Sequence, residues 1–140
     1  MPSLRWLLDT NVLSDGASAR PNAALDARLR RHGHAAAVPV TAWHELLFGC
    51  LRLPPGKRQR EVDAYLSRVV APMPMLAYDE AAAALHARQR ADAERVGRPR
   101  PYADGQIAAI AVLYGLTLVT RNVRDFQDIP GLTVEDWSLP

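Results

Sequence analysis

At 140 residues and 49% hydrophobic content, the chain is long enough for one domain, residues 1–140, with a sizeable core. No apolar run approaches the roughly 20 residues of a membrane span. The apolar patch at the start meets Asp9 too soon to be a secretion signal, and the single cysteine, Cys50, excludes an internal disulfide, so a cytoplasmic protein is expected. Basic residues number 17 against 15 acidic ones, and Lys57 is the sole lysine, so arginines carry almost all the positive charge. Their planar forks suit bidentate phosphate contacts, although a genome favouring arginine and alanine accounts for them equally well.

In chain order, residues 4–8 read as a buried strand that runs straight into Asp9, Thr10 and Asn11, followed by the short apolar segment "TNVLSD". "PNAALDARLRRHG" (21–33) reads as a helix, with Pro near its first turn and Gly at its end. "AAAVPV" (35–40) is a short strand whose Pro39 favours a sheet edge or a strand end. In "TAWHELLFGCLRL", Trp43, Leu46, Leu47, Cys50 and Leu51 keep a helical apolar stripe. A Pro-Gly turn leads into a second helix in "PPGKRQREVDAYLSRVV". "PMPMLAY" (72–78) is extended, and "DEAAAALHARQRADAERVG" (79–97) is a long helix opened by acids and closed by Gly97. After "RPRP" come a helix in "ADGQIAAIAVLYG", a strand in "LTLVT" (116–120) and a last short strand in "LTVEDW" (132–137). Alternating strands and helices predict an α/β fold with a mostly parallel central sheet flanked by helices.

Ligands of such sheets bind beyond the carboxyl ends of the strands. Asp9 ends the first strand, Glu45 lies in the helix leaving the second, Asp104 opens the helix before "LTLVT", and Asp125 follows that strand. Each acid has a plainer reading: a cap for Asp9 or Asp104, a solvated helix position for Glu45, a turn residue for Asp125. Asp104 is spaced to share a face with Ile107, Ala108 and Ala111, which turns it toward the interior. If the four converge, two carboxylates about 4 Å apart repel by roughly 4 kcal/mol at an effective dielectric near 20. Protonation or a divalent cation must relieve that. Oxygen ligands alone select a hard ion, Mg²⁺ or Mn²⁺. The four histidines show no ligand-like spacing: His32 and His34 fall at a solvated helix end, His44 and His86 on helix flanks. With the four acids set aside, 11 remain against 17 basic residues, a surplus that suits a polyanionic substrate. Arg95, Arg98 and Arg100 crowd the approach to Asp104, and Arg121 and Arg124 flank Asn122. Asp15, beyond the short segment, reads as solvated.

"LLDTNVLSD", "TAWHELLFG", "DGQIAAIA" and "LVTRNVRDF", in this order and spacing, resemble PIN-domain proteins, specifically the VapC-type toxins of bacterial toxin–antitoxin pairs. The likeness runs from about residue 6 to the C-terminus and includes "RLPPGKR" and "VEDW". It implies a three-layer PIN-like fold and a Mg²⁺- or Mn²⁺-dependent ribonuclease that hydrolyses RNA phosphodiester bonds. Asp9, Glu45, Asp104 and Asp125 would then be the catalytic and metal-binding acids, with Asn122 an alternative to Asp125 in the fourth role. Thr10, Asn11, Thr120 and Asn122 would be the polar neighbours that orient carboxylates, water or phosphate. Pro39 stands where relatives often carry a small hydroxyl residue. The same likeness implies a small VapB-like antitoxin, an RNA substrate and a homodimer. A phosphatase or phosphoryl acceptor of the haloacid-dehalogenase or receiver type also places an Asp after its first strand. The former wants another Asp where Asn11 stands, and both want a lysine that Lys57, in its turn, does not supply. A PIN-like module that only binds RNA or protein is the remaining alternative, and loss of one of the four acids would have marked it.

Overall fold

A computed structural model describes residues 3–140. Its organising element is β1 (Trp6–Leu8), all three residues of which are buried. Successive strand residues face opposite sides. Trp6 and Leu8 accordingly join one core, while Leu7 joins a second core across the sheet. β1 pairs in parallel with β2 (Ala36–Pro39) on one side and β4 (Thr117–Val119) on the other. β3 (Met75–Leu76) lies beyond β2 and β5 (Val134–Glu135) beyond β4, giving the order β3-β2-β1-β4-β5 with every pairing parallel. All carboxyl ends therefore open at one edge of the sheet.

α1 (Thr10–Gly16), α2 (Ala23–His32), α3 (Val40–Leu51) and α4 (Lys57–Tyr65) cover one face. They contribute Val12, Leu13, Leu25, Leu46 and Cys50 to the core around Trp6 and Leu8. α5 (Glu80–Arg95) and α6 (Tyr102–Leu113) cover the other face, where Ala82, Ile107, Ile110 and Leu118 pack around Leu7 with Phe126. The three layers of the expected α/β fold are thus present, with a sheet that is parallel throughout. From β1 the chain builds outward to β2 and β3, then crosses back to lay down β4 and β5 on the opposite side. The switch falls between β1 and β4, and their following and preceding helices, α1 and α6, diverge to opposite faces there. A crevice opens at such a point.

Several boundaries differ from those the sequence predicts. The first strand is only Trp6–Leu8, and Val40 already belongs to α3. Pro39 lies at the end of an interior strand and occupies the N-cap of α3, a position that needs no N–H from it. Leu51, predicted for the buried stripe, is 75% exposed because α3 ends there. The helix expected across residues 54–70 is α4 continued by a π-helical turn, Leu66–Val70, closed by Ala71 N–H donating to the Leu66 carbonyl. That wider turn sets both Leu66 and Val70 into the core. Gly97 and Gly115 take φ of +71° and +66° just past α5 and α6, the left-handed exit that terminates a helix.

Candidate active site

Asp9 is the first residue past the central strand, 6% exposed, and its backbone N–H still joins the sheet by donating to Val119 O at 2.9 Å. It is also the N-cap of α1, its Oδ1 accepting from Thr10 N–H at 2.8 Å. Oδ2 accepts from the Thr120 hydroxyl at 2.8 Å and from Asn11 Nδ2 at 3.1 Å. Thr120, fully buried just past β4, accepts in turn from Asn11 Nδ2 at 3.3 Å and from Asn122 N–H at 3.0 Å. Asn11 Oδ1 accepts from Arg121 N–H at 3.1 Å. One amide thereby ties the turn after β1 to the turn after β4 and fixes the Asp9 carboxylate from both sides.

These residues form one wall of a cleft of about 650 Å³, lined by Asp9, Thr10, Asn11 and Asn122 together with Thr41, His44 and Glu45 of α3 and Asp104 of α6. Asp104 is half-buried one turn ahead of Ile107 and Ala108, as its spacing predicts. Glu45 is exposed, its Oε1 3.5 Å from His44 Nδ1. Asp125 is exposed and lies outside this cleft; it lines a smaller neighbouring one with Arg98, Arg100 and Arg124. Its charge still reaches both inner acids. Burial raises the Asp9 carboxyl above its ordinary value, with Asp125 adding to the rise while the bonds from Thr120, Thr10 and Asn11 oppose it. Burial likewise raises Asp104, followed by the charges of Asp9 and Asp125. Three of the four acids therefore feel one another, and Glu45 faces them across the cleft.

Among the described residues, no three acidic, histidine or cysteine side chains converge closely enough to enclose a metal ion by themselves. The donor set nonetheless fits a small hard cation. Mg²⁺ commonly takes one or two carboxylates and keeps several waters, whereas an enclosing cage of protein ligands is not its habit. Asp9 and Asp104, desolvated and mutually repelling, are the pair whose charge such an ion would relieve, and the cleft leaves room for its waters.

Other placements depart from the sequence reading. Asp15 is not solvated: its side chain is 10% exposed, accepting from Asn22 N–H at 2.9 Å and from Arg121 Nη1 at 3.0 Å. Arg95 and Arg98 are committed to Asp92 and Asp128. His32 packs between Trp6 and Trp137, ring centroids 4.5 and 5.5 Å away. His86 is buried behind α6, bonded to the Tyr78 hydroxyl at 2.7 Å through Nδ1, and a Cβ on Gly105 would strike its ring. Burial and then Arg90 hold its imidazole below the ordinary histidine range.

Sequence reasoning passed over Thr41, whose hydroxyl is buried without a hydrogen-bond partner, and His44, both on the cleft wall. Thr41 precedes Glu45 by four residues, the helical repeat that shares a face, and that spacing was the available signal.

Comparison with known proteins agrees with this architecture. Residues 6–132 match the family described as PIN domain. The tRNA(fMet)-specific endonuclease VapC of Shigella flexneri is 32% identical over 136 residues, 96% of this chain and 99% of that one. FitAcB from Neisseria gonorrhoeae superimposes with a TM-score of 0.85 at 30% identity, covering 94% of this chain and 97% of the other. DNA-bound VapBC from Salmonella typhimurium gives 0.84 at 28%, covering 96% and 98%.

Proposed function

This chain belongs to the PIN-domain family, and from that premise we propose that it is a divalent-metal-dependent endoribonuclease, the toxin of a toxin–antitoxin pair. Relatives named as endonuclease and ribonuclease VapC along nearly the whole chain support the reaction class. The observation that carries the reading is the placement of Asp9: a buried carboxylate at the mouth of the central strand, facing Asp104 across the switch point. Leaving that charge bare is costly, so the site is built for a cation and, through it, for a phosphate.

Asp9 and Asp104 would hold the ion, and Glu45 lines the same cleft from α3. When bound, a divalent ion supplies an activated water and neutralises the charge that develops on the phosphodiester. The chain's own contribution is order. Thr120, Asn11 and the Thr10 N–H fix both oxygens of Asp9. Thr120 also accepts from Asn122 N–H, which holds the turn that carries Asn122 against the cleft. Asn122 lines the inner cleft while Asp125 stands one cleft away, which favours Asn122 over Asp125 for the fourth role, with the charge of Asp125 acting on the site from outside.

The proposed partner is a small antitoxin, a reading supported by the FitAB and VapBC structures that this chain resembles, and the open cleft is the surface it would cover. A homodimer, implied by the resemblance of its motifs to VapC-type toxins, is the assembly proposed for it. The test is incubation of purified protein with RNA. Cleavage is expected with Mg²⁺ or Mn²⁺, none with excess EDTA, and none once the co-expressed antitoxin is added. Undiminished cleavage in EDTA would overturn the metal-dependent reading.

A further inference from the structure

We infer that the substrate strand leaves the carboxylate cleft along an arginine-lined shelf on the α6 side, and that Arg100 and Arg124 hold its backbone phosphates. The inference rests on the ribonuclease reading for the direction of the strand and on separate observations for the surface. Next to the catalytic cleft lies a second one of about 310 Å³, lined by Arg98, Arg100 and Arg124 together with Gln127 and the carboxylates of Asp125 and Asp128. It opens onto a groove of about 640 Å³ that shares Arg98, Arg100 and Asp128 with it. The groove adds Arg88 and the apolar side chains of Leu85, Val96 and Ile129, and Val96 is 70% exposed.

The charge bookkeeping of this surface is uneven. Asp92 is paired with Arg95 at 2.6 Å and Asp128 with Arg98 at 2.7 Å. No carboxylate lies within ion-pair distance of Arg88, Arg100 or Arg124 among the described residues. Arg100 is nevertheless held in place, donating from Nη2 to Gln127 O at 2.9 Å. A fixed guanidinium with free donors is a preorganised phosphate contact. The groove beyond it has no aromatic platform, but its arginines offer guanidinium planes on which an unstacked base can lie, with Leu85, Val96 and Ile129 as apolar contacts. Phosphate at the arginines and base in the groove together describe a nucleotide flanking the scissile bond. An acidic peptide would use the arginines too, but Arg124 follows Asn122 by two residues and Arg100 precedes Asp104 by four, and Asn122 and Asp104 line the carboxylate cleft, so the shelf continues the path of the substrate.

The experiment measures the salt dependence of binding of a short labelled single-stranded RNA by fluorescence anisotropy, with EDTA present so that the strand is not cut. Each phosphate contact to a single strand contributes about 0.7 to the slope of log K against log salt. The Arg100→Gln/Arg124→Gln protein is expected to lose a slope of about 1.4 and to bind roughly tenfold more weakly at physiological salt. Arg100→Lys/Arg124→Lys, which keeps the charge, should retain most of the slope. Arg30→Gln/Arg31→Gln removes the same charge from the last turn of α2, beside Trp6 at the opposite end of β1, and should leave the slope unchanged. Melting curves of all three variants establish that they are folded. A wild-type slope in the Arg100→Gln/Arg124→Gln protein overturns the shelf, as does an equal loss in the Arg30→Gln/Arg31→Gln protein. A loss of antitoxin binding with unchanged RNA slope assigns the surface to a protein partner and overturns it as well. Replacing EDTA by Mg²⁺ in the same samples tests the ribonuclease reading separately, because cleavage does not enter the slope.

Discussion

The proposed chemistry turns on a single carboxylate. Asp9 spends both oxygens on donors from three different residues, yet burial still outweighs them and leaves its carboxyl raised. Asp104, half-buried, is also raised chiefly by desolvation, and the charges of Asp9 and Asp125 add to it. A carboxyl whose folded value lies above the unfolded one favours folding while protonated. That contribution is present below pH 3.8 and is lost as pH rises through the folded value. At neutral pH without metal, Asp104 therefore works against the fold. Asp104→Asn is expected to raise the melting temperature of the metal-free protein at pH 7 and to shrink that gain toward pH 4. Added Mg²⁺ should stabilise the wild type more than the variant. Differential scanning calorimetry in EDTA and in Mg²⁺ checks both, and a lower melting temperature for metal-free Asp104→Asn would remove the crowding argument.

At the scale of elements, the site depends on how two helices are aimed. α1 starts where Asp9 caps it, so strand end and helix start share one residue. α6 carries Asp104 in its first turn and is braced from behind by α5 through His86, which reaches the Gly105 backbone, Tyr78 and, at 5.0 Å between centroids, Tyr102. Alanine in a helix interior normally gains up to about 1 kcal/mol over glycine. At Gly105 the new methyl meets a buried ring, and overpacking of roughly 1–3 kcal/mol wins. Gly105→Ala should lower stability by about 1–2 kcal/mol in urea titration. Combined with His86→Ala, which empties the space, the same substitution should become neutral or favourable. Equal effects in both backgrounds would mean that His86 does not brace α6. None of this was legible in the sequence, because His86 and Gly105 lie 19 residues apart on different helices and their contact is tertiary. The periodic elements were legible for the opposite reason: the stripe through Leu46 and Cys50 and the apolar run of "LTLVT" are local patterns, and burial follows them directly. The apolar run reads Val40 into the strand because nothing in it shows that Pro39 caps α3, and Leu51 is exposed because the helix that carries the stripe ends there.

For the molecule as a whole, the all-parallel order β3-β2-β1-β4-β5 converts four scattered sequence positions into one edge. That convergence was readable in outline from acids placed after strands, and three of them do line one cleft. What the sequence could not supply was side-chain reach. Asp125 points from a short 3₁₀ turn into the arginine cleft, while Asn122, three residues earlier, lines the catalytic one. Asp15 was misplaced for a similar reason, since the Arg121 that covers it arrives from the far side of β4. Under the proposed function the two neighbouring clefts divide the labour: carboxylates at the switch point would take the cation and arginines along the α6 side the strand. The most direct measurement is kcat/KM for RNA cleavage in Mg²⁺ by the wild type and by Asp9→Asn. Asparagine caps a helix as well as aspartate does, so the variant keeps its fold by circular dichroism. The predicted result is a loss on the order of a hundredfold or more, and a folded Asp9→Asn protein that cuts RNA at the wild-type rate would contradict the account.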